Sequence, residues 1–277
     1  MIALVEVIHK NLKELDYDLW IKIVKLYVSN PIDHCYLMNG LLYNPERSDT
    51  IFVIKNGVIT GYVYAFTIRG GLRIVLWGET SPKHLSSILD KSTFVIINFQ
   101  KDAEEIEVEP YLTALVERKY RNPELSYFYD MVTDEERFKP YRAGNVRKLN
   151  EADLDAFIEI RKIHGRPVSR EEALELIKQR RFYGVYENDK LVGIAGARIK
   201  LPEIWIIGNV FVHPDYRGRG YGKAVTSAIT EDAVKSGALA YLQVETTNSI
   251  AINIYEKLGY RTIRKNPWIF AEKEQYN

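Results

Sequence analysis

The spacing of apolar residues near the start of the chain predicts a helix. These residues recur at intervals of three or four, which places them on one side of a helix. The stripe consists of Leu12, Leu15, Leu19, Ile23 and Leu26. The pattern then changes, and β-rich runs separated by turn residues take its place.

Strand patterns dominate the rest of the first half. Residues 50–54 are β-rich and precede Asn56-Gly57, a dipeptide that favours a tight hairpin turn. Residues 58–67 supply the partner strand. Further strands are predicted over residues 72–77, 93–99 and 125–132, with a short helix ending near Leu89 and a second helix over residues 110–119.

A polar and charged stretch, residues 133–144, divides the chain. We therefore predict two domains, residues 1–138 and 139–277. In the second domain, Asn150 is a good helix N-cap, and the nearly all-apolar run 204–212 indicates a central buried strand. The predicted elements are strands over residues 146–149, 182–186, 190–199, 204–212 and 241–244, and helices over residues 152–163 and 170–179.

The two halves match at a constant offset in the sequence. Asn56 and Asn188 both lie at predicted hairpin turns, 132 residues apart. The order of the predicted elements also agrees, which indicates an internal duplication. Chance similarity between two ordinary hairpins is the alternative. Further pairs at this offset are Val53 and Val185, Gly61 and Gly193, and Ala65 and Ala197.

A glycine-rich loop after the strand 204–212 carries the most informative chemistry. Gly218, Gly220 and Gly222 alternate with other residues before an apolar-faced helix. Glycine lets the backbone approach a ligand closely, and the first N–H groups of a helix lack partners within it. With the helix dipole, this arrangement predicts a phosphate site, for which pyrophosphate is the natural ligand. The cationic residues around it are Arg217, Arg219 and Lys223.

Other phosphate loops fit this spacing less well. A dinucleotide fingerprint that begins at Gly218 requires glycine where Lys223 stands, and one that begins at Gly220 requires it where Val225 stands. A P-loop requires Ser or Thr in place of Ala224. A strand-to-helix connection without a ligand is the remaining alternative.

The loop resembles the acetyl-CoA motif of the GNAT superfamily of acyltransferases. Arg217-x-x-Gly220-x-Gly222 follows a strand that ends in Val-Phe-Val, and the lead-in from His213 to Gly218 is typical of many members. The second GNAT signature is similar to the segment that contains Asn248, Ala251, Tyr255, Gly259 and Tyr260, with tyrosine at the last position instead of phenylalanine. The resemblance covers about the last 130 residues.

The resemblance implies an N-acyltransferase that moves an acetyl group from acetyl-CoA to a primary amine by direct attack in a ternary complex. In the superfamily, the loop amides hold the CoA pyrophosphate and the preceding strand pairs with the pantetheine arm. Carried over by position, the expected CoA-binding residues are Val210, Phe211, Val212, Arg217, Gly218, Arg219, Gly220, Tyr221, Gly222, Lys223, Asn248 and Tyr255.

Tyr255 is also the expected catalytic residue. The tyrosine at this position in the superfamily often protonates the departing thiolate; packing beside Ile250, Ile254 and Leu258 is the alternative role. Gly208 interrupts the central strand and predicts a bulge. In GNAT folds such a bulge admits the thioester, and a backbone N–H beside it can stabilise the oxyanion.

Two positions that carry a catalytic base in related proteins lack a carboxylate here. Many superfamily members have a glutamate at the place of Ile206, and bacterial ribosomal-protein acetyltransferases have one at the place of Gln243. A non-catalytic CoA-binding sensor or assembly module is therefore the second hypothesis. Nearby candidates for the base are Glu203, Glu245 and His213.

The first half lacks a comparable loop, because residues 78–83 contain no alternating glycines and no arginine. We interpret it as a degenerate GNAT-like domain. The expected fold is thus α+β with a mixed sheet, a GNAT fold in the second half and a tandem degenerate copy in the first.

Composition narrows the list of partners. A net charge of +1 argues against a nucleic-acid surface over the whole protein. The single Cys35 excludes an internal disulfide, and the five histidines have no metal-ligand spacing. The N-terminus has no run typical of a signal peptide or membrane span. We expect a cytoplasmic protein that uses a small-molecule or peptide amine and no metal, nucleic acid or membrane.

Overall fold

The computed structural model describes residues 4–68, 70–89 and 92–273. The ends of the two predicted domains, residues 1–3 and 274–277, lie outside the described residues. The chain forms two compact units, Met1–Tyr129 with Arg264–Asn277, and Asp130–Ile263. The assignment of domains to residues 1–138 and 139–277 stays a prediction.

The order of helices and strands follows the sequence pattern closely in the second half. The strands are β1 (Val5–Asn11), β2 (Ser48–Lys55), β3 (Val58–Ile68), β4 (Gly71–Gly78), β5 (Phe94–Phe99), β6 (Tyr120–Thr133), β7 (Asn145–Lys148), β8 (Phe182–Glu187), β9 (Lys190–Lys200), β10 (Ile204–Val212), β11 (Leu239–Glu245) and β12 (Arg261–Lys273). The α-helices are α1 (Tyr17–Ser29), α2 (Pro31–Tyr43), α3 (Pro82–Ser86), α4 (Glu109–Glu117), α5 (Leu154–Ile163), α6 (Arg170–Gln179), α7 (Tyr221–Lys235) and α8 (Ser249–Lys257).

Both units contain the same sequence of strand pairings. In the first unit, β1, β2, β3 and β4 are antiparallel neighbours and β5 runs parallel to β4. In the second, β7, β8, β9 and β10 are antiparallel neighbours and β11 runs parallel to β10. Each unit also has a register shift after the equivalent valine, Val53 in β2 and Val185 in β8. The predicted tandem arrangement in a mixed sheet is confirmed.

The core of the second unit packs α5 and α6 against β8 and β9. A capping box, in which side chain and backbone exchange hydrogen bonds and satisfy the first N–H groups, begins α6 and also begins the 3₁₀ turn that leads into α5. Asn150 and Asp153 form the box before α5, and Ser169 and Glu172 form the box of α6. Buried members of this core include Leu149, Phe157, Ile160, Ala173, Phe182 and Ile194.

The core of the first unit packs α3 and α4 against β3, β4 and β5. Its largest enclosed side chains include Leu76, Leu85 and Phe99. Phe99 meets Tyr111 of α4 edge to face, with 5.1 Å between ring centroids, an arrangement that the ring quadrupoles favour.

Four parts of the fold differ from the sequence prediction. The apolar stripe predicts a helix from Leu12, but Asp16 caps α1, and Leu12 lies in a preceding 3₁₀ turn. Strand β1, helix α2 and strand β12 were not predicted. Among the described residues, the structure contains no helix with the length and hydropathy that crossing a membrane requires.

Candidate active site

Strands β10 and β11 are paired only where they begin. Their register ends at Ile206 and Tyr241, and no later pair joins them in the described part of the chain. On its other edge, β10 continues to pair with β9 as far as Val212. One edge of the second half of β10 is therefore open, so its peptide groups are available to an extended ligand.

A bulge lies at the point where β10 leaves β11. The β9–β10 register is irregular between Gly208 and Phe211, and Asn209 adopts a positive φ of 53°. The bulge predicted at Gly208 is therefore confirmed. A bulge bends its strand and changes the direction of nearby side chains and peptide groups.

The equivalent strands of the first unit remain joined. β4 and β5 form a parallel ladder from Leu72 and Val95 to Leu76 and Phe99. After β4, the N–H of Glu79 donates to the carbonyl oxygen of Thr60 at 2.9 Å. The open edge is thus a feature of the second unit.

The glycine loop leads into α7 with its amides uncovered. Gly218 and Gly220 have φ angles of 77° and 80°, a region that favours glycine. Gly220 is the N-cap, and no side chain caps this helix. Ala224 donates to the carbonyl of Gly220 at 3.0 Å. Within the described part of the chain, no acceptor is bonded to the N–H groups of residues 218–223.

Gly222 keeps a space in front of these amides. A Cβ on Gly222 would meet only the Cγ2 of Val212, at 3.6 Å, which is an ordinary contact. The protein around it therefore does not require glycine at this position. By contrast, a Cβ on Gly220 would lie 2.5 Å from the Tyr141 hydroxyl. Open space next to six uncovered amides at a helix start fits a phosphate group.

The three cations predicted around the loop differ in their partners. Arg217 donates from Nε to the carbonyl of Val212 at 3.2 Å, and Lys223 lies 4.2 Å above the ring of Tyr141. Neither has a carboxylate partner among the described residues. Arg219 instead donates to Glu187 at 2.6 Å.

Glu187 also binds a second predicted loop residue, Tyr221. The Tyr221 hydroxyl donates to the second oxygen of this carboxylate at 2.6 Å, and this bond is the main cause that lowers the pKa of Glu187. Glu187 thereby fixes Arg219 and Tyr221 beside the loop. Because Glu187 neutralises the charge of Arg219, Arg217 and Lys223 are the loop cations whose charge can attract an anion.

Of the two predicted residues in the second motif, Tyr255 lies on α8 and Asn248 is the N-cap of that helix. The Asn248 side chain caps the helix by accepting from the N–H of Ala251 at 3.1 Å. Tyr255 lies two turns further on and packs at 5.9 Å from Tyr260, between ring centroids. The Asn248 side chain thus fixes the start of the helix that carries Tyr255.

The Tyr255 hydroxyl keeps its proton over a wide pH range. The residue is half-buried, yet its phenol group is enclosed enough that burial raises its pKa to about 12. No described residue forms a hydrogen bond with this hydroxyl. A neutral phenol without a partner is a hydrogen-bond donor for an incoming ligand.

The candidate bases differ in position. Glu203 precedes β10, so it lies roughly 25–30 Å from Val212 along the strand; this distance excludes it. His213 accepts from the N–H of Asp215 at 3.3 Å and caps a short 3₁₀ turn. Glu245 is exposed at the end of β11.

Gln243 is held by a buried carboxylate. It lies two residues beyond the last β10–β11 pair, and its Nε2 donates to Asp130 at 3.1 Å. Asp130 is fully buried at the end of β6. Because a carboxylate only accepts, the orientation of the Gln243 amide is fixed.

One histidine side chain at the bulge was not predicted from the sequence. His164, in the α5–α6 connection, stacks on Phe211 with 4.4 Å between centroids and 18° between planes. Burial, followed by the charges of Arg166 and Arg161, lowers the pKa of His164 to about 4. The imidazole is therefore neutral at pH 7. No motif spacing connects a loop histidine to a strand 47 residues later, so the sequence carries no signal for this contact.

Comparison with known proteins identifies the class to which this site belongs. The acetyltransferase (GNAT) family profile matches residues 146–260, and these residues form a GNAT acetyltransferase domain. The chain is 35% identical over 83 residues to the ribosomal protein bS18-alanine N-acetyltransferase of Escherichia coli strain K12. That match covers 29% of this chain and 55% of the relative, so the chain spans about half the length of that enzyme.

Two further proteins extend the comparison. Mycothiol acetyltransferase of Streptomyces scabiei is 33% identical over 86 residues, which cover 29% of this chain and 27% of that enzyme. A solved tandem GNAT protein from the clavulanic acid biosynthesis pathway superposes with a TM-score of 0.60 at 14% identity, and the alignment covers 99% of this chain and 100% of that chain. At this identity the structural match shows the fold, and it extends over nearly the whole chain.

Proposed function

We propose that this protein transfers an acetyl group from acetyl-CoA to a primary amine. The observation that carries the proposal is the row of uncovered N–H groups at residues 218–223, placed directly after the open edge of β10. The loop would hold the pyrophosphate, with Arg217 and Lys223 supplying positive charge. The peptide groups of Val210, Phe211 and Val212 would pair with the amides of the pantetheine arm.

The reaction that we propose is direct attack in a ternary complex. The amine nitrogen forms a bond to the thioester carbon, the C–S bond breaks, the nitrogen loses a proton and the sulfur gains one. A backbone N–H at the bulge, near Phe211 or Val212, would stabilise the oxyanion. Tyr255 would donate a hydrogen bond to the departing sulfur.

The raised pKa of Tyr255 limits what this residue can do. A thiol has an ordinary pKa of about 8.5, so complete proton transfer from a phenol of pKa about 12 would be uphill by about 5 kcal/mol. Donation of a hydrogen bond without full transfer avoids this cost. We therefore propose Tyr255 as a donor that stabilises the leaving thiolate, with water completing the protonation.

The similar enzymes are named for different acceptors, so they indicate only a broad class of acceptor. One relative is named for an alanine of a ribosomal protein and another for mycothiol. For this chain, we propose a primary amine on a small molecule or peptide.

Calorimetry and a turnover assay together test the proposal. Acetyl-CoA should bind to the intact protein, and thiol release should follow when a panel of primary amines is added. The Gly222→Val variant should lose binding while remaining folded, because valine fills the space before the amides. If the intact protein gives no heat with acetyl-CoA, the proposal is wrong.

The absence of a carboxylate at two positions supports the non-catalytic alternative, so the experiment must distinguish it. Neither Ile206 nor Gln243 supplies a carboxylate, and Asp130 is fully buried behind Gln243. A CoA-binding sensor or assembly module would bind acetyl-CoA and release no thiol with any amine. Thiol release that depends on an amine excludes this alternative.

A further inference from the structure

Four arginines from different elements surround the bulge of β10. Arg161 belongs to α5, Arg166 to the α5–α6 connection, Arg180 follows α6, and Arg198 belongs to β9. Arg161 and Arg166 both donate from Nη1 to the side-chain oxygen of Asn209, each at 3.4 Å. These weak bonds place two guanidinium groups at the same bulge residue.

The other two arginines complete the cluster. The side chain of Arg198 lies against Gly208, since a Cβ built there would be 2.6 Å from the Arg198 Cδ. The charge of Arg198 acts on Arg180, and that of Arg180 acts on Arg161. We call these four residues the arginine cluster: Arg161, Arg166 and Arg198 lie at the bulge, and the charge of Arg180 acts on Arg161.

The arginine cluster has no counter-charge of its own. Among the residues that the structure describes, no carboxylate forms an ion pair with any of its four members. Glu175 is the acid whose charge acts on Arg180, and it accepts a hydrogen bond from Gln179 at 2.9 Å. Burial lowers the pKa of Arg161, Arg166 and Arg180, and neighbouring arginines lower each further.

Such crowding is unfavourable unless something compensates for it. Like charges repel across the few ångströms of a partly enclosed site, and several other arginines of the same unit do have carboxylate partners. Examples are Arg147 with Asp153 and Arg219 with Glu187. A concentration of unpaired guanidinium groups at one point is the arrangement that binds carboxylate or phosphate oxygens.

The arginine cluster is open to a ligand. Arg166 and Arg180 are exposed as residues, although enough protein surrounds their guanidinium groups for burial to affect the pKa of each. Arg161 and Arg198 are half-buried. Two of the four arginines are therefore accessible to a ligand from solvent.

Position connects the arginine cluster to the proposed chemistry. Asn209, which two of the arginines contact, immediately precedes the residues proposed to hold the pantetheine arm. An anionic group bound here would lie beside the bulge and not at the loop of residues 217–223, which follows β10.

We propose that the arginine cluster binds a carboxylate or phosphate group on the acceptor, so that the substrate is an amine carrying an oxyanion. This inference rests on the proposed acetyl transfer and deepens it. The cluster would hold the acceptor by its anionic end and leave the amine directed along the bulge. An uncharged amine of the same length would lack this anchor.

Matched acceptor pairs provide the first test. β-Alanine is compared with β-alaninamide, and O-phosphoethanolamine with ethanolamine, each as kcat/KM at a fixed acetyl-CoA concentration. We expect the anionic member of at least one pair to be preferred by about 100-fold, as two charge-assisted hydrogen bonds would give. The pair that shows the preference distinguishes carboxylate from phosphate. Equal use of the neutral and anionic members of both pairs would overturn the inference.

Variants of the two accessible arginines provide the second test. Arg166→Gln and Arg180→Gln should each raise KM for the anionic acceptor about tenfold and leave kcat/KM for the neutral amine unchanged. Lys162→Gln is the matched control, because it removes one positive charge from an exposed position on the same helix as Arg161. Equal effects of all three variants would show only a general electrostatic contribution and contradict a specific site.

A binding measurement separates this inference from the proposed function. N-acetyl-β-alanine and inorganic phosphate are titrated into the intact protein without acetyl-CoA, and binding of at least one should weaken in Arg166→Gln but not in Lys162→Gln. If this holds while no amine is acetylated, the anion site stands and the transferase proposal fails. If amines are acetylated and neither probe binds, the anion site fails alone.

Discussion

At the scale of single residues, the Tyr255 hydroxyl has the clearest expected effect. Tyr255→Phe removes one hydrogen-bond donor from an enclosed site and leaves the ring in place, so kcat should fall about 10- to 100-fold. The Kd for acetyl-CoA should change less than threefold. Because burial raises the pKa of Tyr255 to about 12, its ionisation should not reduce kcat below about pH 11. Thiol release measured against pH checks both points.

Tyr260 supplies the matched control for this variant. Its hydroxyl lies 2.7 Å from the hydroxyl of Thr230, and both are buried. Tyr260→Phe leaves Thr230 without that partner, which should cost about 1–3 kcal/mol of stability and leave kcat unchanged. Undiminished turnover in Tyr255→Phe would contradict the proposed donor role.

A second residue-scale prediction separates binding from folding at the loop. Gly222→Ala should weaken acetyl-CoA binding about tenfold or more, because the new methyl enters the ligand space, while the stability changes by less than about 1 kcal/mol. Gly218→Ala should behave differently: its φ of 77° costs alanine about 1–2 kcal/mol of stability. Calorimetry and urea unfolding measure the two quantities. Intact binding in Gly222→Ala would place the pyrophosphate elsewhere.

At the scale of elements, the start of α5 depends on one buried carboxylate. Asp153 accepts from Arg147 at 2.8 Å and 2.5 Å, from the Tyr186 hydroxyl at 2.6 Å and from the N–H of Asn150 at 2.9 Å. The bond with Arg147 is the main cause that lowers the pKa of Asp153 to about 2, and the side chain is only 5% exposed. The helix start is thus tied to β7 and β8.

This depressed pKa gives a pH-dependent contribution of known sign. Above the unfolded pKa of about 3.9, the carboxylate is ionised in both states and stabilises the fold by about 2 kcal/mol. The contribution is lost as the pH falls from about 4 to 2. Asp153→Asn should therefore be less stable by about that amount at pH 7, and the difference should shrink at pH 3. Urea unfolding at both pH values measures it, and a constant difference would contradict the assignment.

The elements that carry the motifs were also those that the sequence predicts best. β10, an unbroken apolar run, and α6 begin and end at the predicted residues. Helix α2 was not predicted because it is buried on several sides and therefore has no single apolar stripe in its sequence. Its consecutive buried residues include His34, Cys35, Tyr36 and Leu37. Strand β1 was missed because it exposes Val5 and Val7, which leaves no alternation of burial to recognise.

At the scale of the whole molecule, sequence spacing finds only those site residues that lie near one another along the chain. The loop from Arg217 to Lys223 is one local segment, and its glycines alone predict its geometry. The arginine cluster is drawn from four elements, and the contact between His164 and Phe211 joins a loop to a strand. Neither the arginine cluster nor this contact can be recognised from residue spacing, because strand order and the bulge at Asn209 bring the residues together.

The duplication makes a final prediction about stoichiometry. Both units have the same strand order, yet only the second opens β10 from β11; in the first, β4 and β5 stay paired to Leu76 and Phe99, and the N–H groups of Glu79 and Thr80 already donate to carbonyls. Native mass spectrometry and calorimetry should therefore find one acetyl-CoA per chain. Gly222→Val should reduce that number to zero. Two bound molecules in the parent protein, or one remaining in Gly222→Val, would show that the first unit also binds the coenzyme.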